Sequence, residues 1–476
     1  MRAIVAVAVL AAALLTVPEA RAGRVGVYTG PDAPASAKKA SGLLIPGRGP
    51  EVSRDEALDA LEGIPAPRCP CDYIVVLRLP SGKHANDRRY AITIAGPAYD
   101  GLLVSDRTRV PGLVSIYDVK PTVEALEEGR EPPVTSRSVP KVQERLDALN
   151  ERLDEVDDSR TPAGLVLVAL VLAFAVLARV RRSSYWGRTS LLTVPVGLST
   201  ALALSALEIT EPGTVVVVLG VITAAGALAL GRFARNRYAF AAALLAIFPV
   251  YLVVLAISTE TSSLAVIGPR PENGGRFYGF NNQLETLVLV PALLGAGLLG
   301  SRLLPAAGLL ALGTVGATFA GADGGGVLVL LAGFLFLWLR FRGTPLTARN
   351  LALTIGAVIL LGLALVGIDA ALGGESHVTR SIGGGPVQLA QDIGDRFVAS
   401  GKGVVSTWHS ALVVGLSIPV LVWVALRRPR FAILDALLVA VAVSLIVNDA
   451  PREVSGFGAL SALALRFWHE TAERVE

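Results

Sequence analysis

Residues 161–182 read TPAGLVLVALVLAFAVLARVRR, an unbroken apolar run closed by a cluster of arginines. A hydrocarbon core needs roughly 20 such residues to be crossed as a helix. No charge falls between Thr161 and Arg179. On either side of this run the chain belongs to different solvents. Residues 24–160 are charged and ordinary in composition, whereas everything after Thr161 is runs of Leu, Val, Ala and Gly broken by short polar loops. Of 476 residues, 53% are hydrophobic and only 17% charged. That excludes a soluble globular chain. The fold expected is a mostly α-helical polytopic membrane protein carrying a small N-terminal extracytoplasmic α/β domain.

Apolar stretches suited to spanning fall at roughly 162–180, 189–207, 213–231, 238–257, 282–300, 303–320, 325–340, 350–368, 410–426, 431–448 and 454–469, about 11 spans in all. Charge tests the count. With the N-terminal domain outside, the odd spans run inward and should end in cations. Arg179, Arg181, Arg182 and Arg188 follow the first, and Arg232, Arg235 and Arg237 the third. Arg302 follows the fifth, and Arg340, Arg342 and Arg349 the seventh. Arg427, Arg428 and Arg430 follow the ninth, while Arg466 and Arg474 close the eleventh. This is the positive-inside pattern, with the C-terminus cytoplasmic. The net charge of +4 thus reports topology and gives no sign of a nucleic-acid partner.

Upstream of the first span, Arg2, the apolar stretch Ala3–Val17 and Ala20-Arg21-Ala22 have the form of a signal peptide over 1–22, with an uncleaved anchor as the alternative. The chain is therefore expected in the plasma membrane. Residues 23–135 form the extracytoplasmic domain, 136–160 a juxtamembrane helix and 161–476 the transmembrane domain. Strand-like runs occur at Arg24–Thr29, Tyr73–Leu79 and Arg89–Ala95. Ser53 followed by Glu56 reads as a capping box opening a helix. Val142, Leu146, Leu149, Leu153 and Val156 recur at helical spacing between Pro140 and Asp157, which is read as a stalk. Cys69 and Cys71 are the only cysteines. A local or intermolecular disulfide is favoured over a metal site, since two thiols without a neighbouring histidine ligate weakly.

The polar residues of the membrane half carry the functional information, because polar groups are costly in lipid. They gather where the topology places outer loops. The stretch Ser258–Glu285 holds Arg276, Tyr278, Asn281, Asn282 and Glu285. Asn281 and Glu285, four apart, share one face as the fifth span begins, with Arg276 the nearest cation for the carboxylate. Gly321-Ala322-Asp323-Gly324-Gly325-Gly326 either lets backbone approach a partner closely, offers N–H groups to an anion, or is a capped turn. His377 and Arg380 stand in the loop 369–410, and Asn448 and Asp449 between the last two spans. Convergence of these ten residues would form an outer-face polar pocket.

Two resemblances bear on this. Gly101–Arg109, Pro111–Ile116 and Asp118-Val119-Lys120-Pro121-Thr122-Val123 resemble the late segment of alkaline-phosphatase and sulfatase-like domains, with Asp118 capping a helix that has Pro121 in its first turn. Such enzymes hold two metals on several Asp and His. Residues 23–135 offer one histidine, His84, in a polar turn. The resemblance therefore implies a shortened, degenerate domain without metal-dependent phosphatase activity. Arg276–Glu285, Gly321–Gly326, Ser376–Val378 and Asn448–Ala450, in this order, resemble motifs of a largely uncharacterised bacterial multi-spanning membrane protein family, whose members place a phosphatase-like domain before the membrane part. The family implies no catalytic residues.

No nucleotide loop, zinc spacing or haem motif is present, so no cofactor is expected. A pocket of Arg, amides and carboxylates beside lipid suits the head group of an envelope lipid or glycolipid. Expected partners are membrane lipids, including a lipid-linked envelope precursor, and an envelope protein. Three activities fit: a transporter or flippase-like protein, an outer-face transferase, or a non-enzymatic scaffold in envelope assembly.

Overall fold

In the computed structural model, the structure describes residues 22–29, 39–49, 51–64, 70–274, 276–317, 320–344 and 407–472, with shorter stretches between 347 and 405. It divides into two compact units. The first holds the chain up to Asp154 together with Arg270–Phe277; the second holds Glu155–Pro269 and the chain from Tyr278 onward.

The first unit is an α/β fold on a mixed sheet. Its strands are β1 (Val25–Tyr28), β2 (Lys39–Ile45), β4 (Tyr73–Leu77), β6 (Tyr90–Ala95), β7 (Gly101–Ser105), β8 (Leu113–Ser115) and β9 (Val134–Arg137), in the order β1-β4-β6-β2-β7-β9, with β8 also against β2. A separate pair joins β3 (Glu51–Val52) to β5 (His84–Ala85). Alternation explains β4: Tyr73, Val75 and Leu77 are buried while Ile74 and Val76 are half-exposed. The core adds Ile92, Ile94, Leu103, Val114 and Leu126.

Helix α1 (Arg54–Asp59) opens on the expected cap residue, the Ser53 hydroxyl accepting from the Glu56 N–H at 3.0 Å, which is one half of the expected capping box. Helix α2 (Val119–Glu128) does not. Asp118 precedes it but makes no side-chain cap. The carboxylate turns inward instead, taking a 2.5 Å hydrogen bond from the Ser105 hydroxyl and an ion pair from Arg107. It also receives the Ser115 N–H, closing a capping box one turn earlier. A buried carboxylate is held more favourably by a cation and two further donors than by one helix end.

Helix α3 (Val142–Arg181) is continuous over 40 residues, roughly 60 Å. The expected stalk is no free rod. Leu146 and Leu149 reach Gly112, so close that a Cβ there would stand 3.1 and 3.2 Å from them. The buried Arg89 guanidinium donates to the Asn150 side-chain oxygen at 2.9 Å and pairs with Asp154. Leu146 and Leu149 of the apolar stripe thus pack onto the first unit, whereas Val156 joins the core of the helical unit.

The second unit is helical. After the distal part of α3 come α4 (Ser184–Ala206), α5 (Pro212–Phe233), α6 (Arg237–Leu245), α7 (Ile247–Ile257), the short α8 (Thr259–Ser263), α9 (Asn282–Leu299), α10 (Leu304–Gly316), α11 (Gly324–Phe341), α12 (Trp408–Leu426), α13 (Ala432–Val447) and α14 (Pro451–Ala472). Among the described residues seven helices are long and apolar enough to cross a membrane, counting α6 and α7 together as Arg237–Ile257. The apolar helices α10 and α13 are shorter. The stretch expected to span at 350–368 is described only in part. Helices α9, α11 and α13 meet at Gly333, where a Cβ would stand 3.1 Å from Leu293 and 3.3 Å from Ala440. At the periphery Leu412, Leu416 and Leu426 of α12 are exposed, as lipid-facing residues are. This is a membrane-embedded protein with a small N-terminal sheet region.

Candidate functional site

Three helices begin at one end of the helical unit, α9 at Asn282, α11 at Gly324 and α14 at Pro451, and α13 finishes there. The junction is built from backbone first. Asn281 caps α9: its side-chain oxygen accepts from the Leu284 N–H at 2.9 Å. Its amide nitrogen donates to the Gly268 carbonyl at 2.6 Å. The Phe280 N–H bonds the Gly321 carbonyl at 2.9 Å, joining the approach to α9 to the loop before α11.

Into this junction project the polar side chains. Glu285, in the first turn of α9, is fully buried. It accepts from the Ser444 hydroxyl at 3.0 Å and from the Asn448 amide at 2.7 Å. Ser444 and Asn448 are themselves 2.8 Å apart. Nearer the surface the half-buried Asn282 donates to the exposed Asp449 at 3.0 Å. A column of polar groups therefore runs inward from Asp449 through Asn448 to Glu285. The positive end of the α9 dipole adds to the support for that carboxylate.

The glycines of 321–326 bring the backbone close to neighbouring side chains. At Gly325 a Cβ would stand 2.7 Å from the Asn448 side-chain oxygen, so only glycine admits the amide. At Gly326 it would stand 2.8 Å from the buried Asp323 carboxylate. The triplet lets side chains of α13 and its own cap reach the α11 backbone.

Of the ten candidates, the structure brings Asn281, Asn282, Glu285, Asp323, Asn448 and Asp449 to this one end. Arg276 belongs to the first unit, and Tyr278 begins the return to the second. His377 and Arg380 lie outside the described residues, as does Cys69. Sequence reading missed Ser444, which sits in an apolar run. Its spacing of four from Asn448 is the signal that places both on one face of α13. Also missed is the buried irregular run Leu264–Pro269 after α8. Its carbonyls are met by side chains: Ala265 by Arg160 at 3.2 Å, Gly268 by Asn281. Non-helical backbone persists at such depth only where protein groups satisfy it.

The opposite end is chemically different. Buried Asp435 pairs with Arg430 at 2.6 Å, as its sequence proximity implies, and with Arg340 at 3.3 Å. Glu470 faces Arg466, Arg179 and Arg427 at 3.0, 3.4 and 3.7 Å. Arg466, almost wholly buried, also donates to the carbonyls of Arg427, Arg428 and Pro429. Among the described residues no three His, Cys, Asp or Glu side chains converge as a metal site. Comparison with protein-family models, curated proteins and solved structures finds no match.

Proposed function

We propose that this is a plasma-membrane protein of about 11 spans, its N-terminal domain outside and its C-terminus cytoplasmic, that binds the polar head group of an envelope lipid or glycolipid at the Glu285 end. One observation carries the reading: a buried carboxylate hydrogen-bonded by the neutral donors Ser444 and Asn448, at the inner end of a polar column that opens at Asp449. A carboxylate and amides arranged by depth suit the hydroxyls and amides of a sugar-bearing head group, whose apolar chains remain in lipid. The degenerate phosphatase-like character of residues 23–135 and the envelope protein partner belong to the same proposal.

The test is lipid co-purification. Full-length protein in lipid nanodiscs is extracted and its bound lipids are identified by mass spectrometry, alongside Glu285→Gln and Asn448→Ala at equal abundance. Loss of one head-group class in both variants supports the site; an unchanged lipid profile in both removes it. In a knockout host, accumulation of a lipid-linked intermediate on one side of the membrane separates transport from transfer and from a scaffold.

A further inference from the structure

At the Glu470 end of the helical unit the carboxylates are already taken. Asp435 faces Arg340 and Arg430, and Glu470 faces Arg466, Arg179 and Arg427. Another group of cations stands where α4 begins and α5 ends. Two contacts fasten these helices together there. The Tyr185 hydroxyl donates to the Leu228 carbonyl at 3.2 Å. A Cβ at Gly231 would run into the Thr189 hydroxyl, so the close approach of α5 to α4 needs glycine. Beside these contacts stand Arg188 on α4, Arg232 in the last turn of α5 and Arg235 just past it.

The hydrogen bonds of this group go to neutral acceptors. The half-buried Arg188 guanidinium donates to the Ser184 hydroxyl at 3.4 Å, while its Nε, shielded from water, meets no acceptor. The exposed Arg235 donates through Nε to the Arg232 carbonyl at 2.9 Å. The charge of Arg235 acts on Arg188, and it repels. Ser184 is the first residue of α4, so the helix dipole adds potential of the same sign. Among the described residues no carboxylate pairs with Arg188 or Arg235. Two like charges held together, one of them half-buried, are unfavourable until an anion joins them. Guanidinium forks suit the oxygens of a phosphate.

The surroundings say which phosphate. Helices α3, α4 and α5 are each long and apolar enough to cross a membrane, and the arginines lie at their ends. Val180, at the end of α3, and Phe233, between Arg232 and Arg235, are large apolar residues exposed at the same level. Trp186 stacks on Phe174 at 5.8 Å, an aromatic pair of the kind that gathers at a membrane–water boundary. A free ion would use the cations alone; a phospholipid uses the cations and the apolar flank.

We propose that Arg188 and Arg235 bind the phosphate of an anionic phospholipid, with its acyl chains on the side of Val180 and Phe233. This site lies apart from the Glu285 column and does not depend on it.

Native mass spectrometry of the full-length protein in detergent, titrated with phosphatidylglycerol or with phosphatidylcholine, tests the site. The wild type is expected to bind phosphatidylglycerol about tenfold more tightly than phosphatidylcholine. Arg188→Gln and Arg235→Gln should each lower that preference about fivefold. Arg342→Gln, which removes an exposed cation at the end of α11, should leave it unchanged. A preference that survives in both site variants overturns the proposal, and so does an equal loss with Arg342→Gln. Because Arg235 is exposed, its variant carries the same outcomes should Arg188→Gln fail to fold. Inorganic phosphate that displaces phosphatidylglycerol at equal concentration would make this a simple ion site and overturn the lipid. Glu285→Gln should leave the preference intact, whatever it does to lipid at its own end. A preference lost with Glu285→Gln would place the phospholipid there and remove this site.

Discussion

The two ends of the helical unit set different donors around their buried carboxylates. Asp435 and Glu470 are surrounded by arginines and by the carbonyls those arginines also grip. Glu285 is reached by a serine and an asparagine at a helix N-terminus. An arginine-paired carboxylate has its charge matched within the protein, here by guanidinium groups that are themselves partly exposed. When Glu285 becomes an amide, its one remaining oxygen can still accept from Asn448, and the new N–H group can turn to the Ser444 hydroxyl, which accepts as well as donates. The first arrangement fixes helices, and the second is suited to exchanging one polar partner for another. Stability and function should therefore separate by end.

The largest effect tests the fixed end. Asp435→Ala removes the shared partner of the partly exposed Arg340 and Arg430 and should cost about 2–4 kcal/mol, read as a lower unfolding midpoint in detergent. A midpoint unchanged there would break the comparison at once. Arg466→Ala should follow, at about 2–4 kcal/mol, because three carbonyls and Glu470 lose their donor. Lysine at 466 should recover little, having no planar fork to span them. At the other end, Gly325→Ala drives a methyl toward the Asn448 oxygen and should cost about 1–3 kcal/mol, with lipid binding impaired beside it. Glu285→Gln sharpens the contrast most: stability should change by less than about 1 kcal/mol while bound lipid is lost. A Glu285→Gln protein as unstable as Asp435→Ala would make both ends structural.

The smallest effect lies in the α/β unit, where water is the reference. Loss of hydration raises the Asp106 carboxyl above its usual range, outweighing the opposing pull of Arg109. A raised carboxyl binds its proton more tightly when folded. Asp106 therefore favours the fold at low pH, and this contribution fades as pH rises through the ordinary carboxylate range to the raised value. Asp106→Asn should slightly stabilise the domain at neutral pH, with the gain vanishing in acid. A gain that grows on acidification would reverse the assignment.

How much of this was legible depended on the range of the interaction. The apolar runs that became helices, and the alternation of Tyr73–Leu77 and Tyr90–Ala95, are local patterns and were readable. Strand β2, central in the sheet, was not. Its sequence Lys-Ala-Ser-Gly-Leu-Leu-Ile lacks β-branched residues until its end, and Gly42 sits where Leu103 and the Gly112 carbonyl press in. The polar residues at the α9 end were legible one by one as costly groups beside lipid. Their pairing across more than 150 residues, as between Glu285 and Asn448, leaves no local periodicity. The placing of Arg270–Phe277 in the first unit was invisible for the same reason: nothing around Gly274 announces that it packs on the Gly47 carbonyl.

The grip of Arg466 on the turn after α12 has a consequence in time. Three carbonyls at Arg427, Arg428 and Pro429 find their donor nearly 40 residues later, on the last helix. While the chain is being made, that turn emerges first and waits for α14. The hairpin of α12 and α13 is thus closed from behind, by the segment synthesised after it, and the helical unit acquires its final geometry at this end only once residue 466 has arrived.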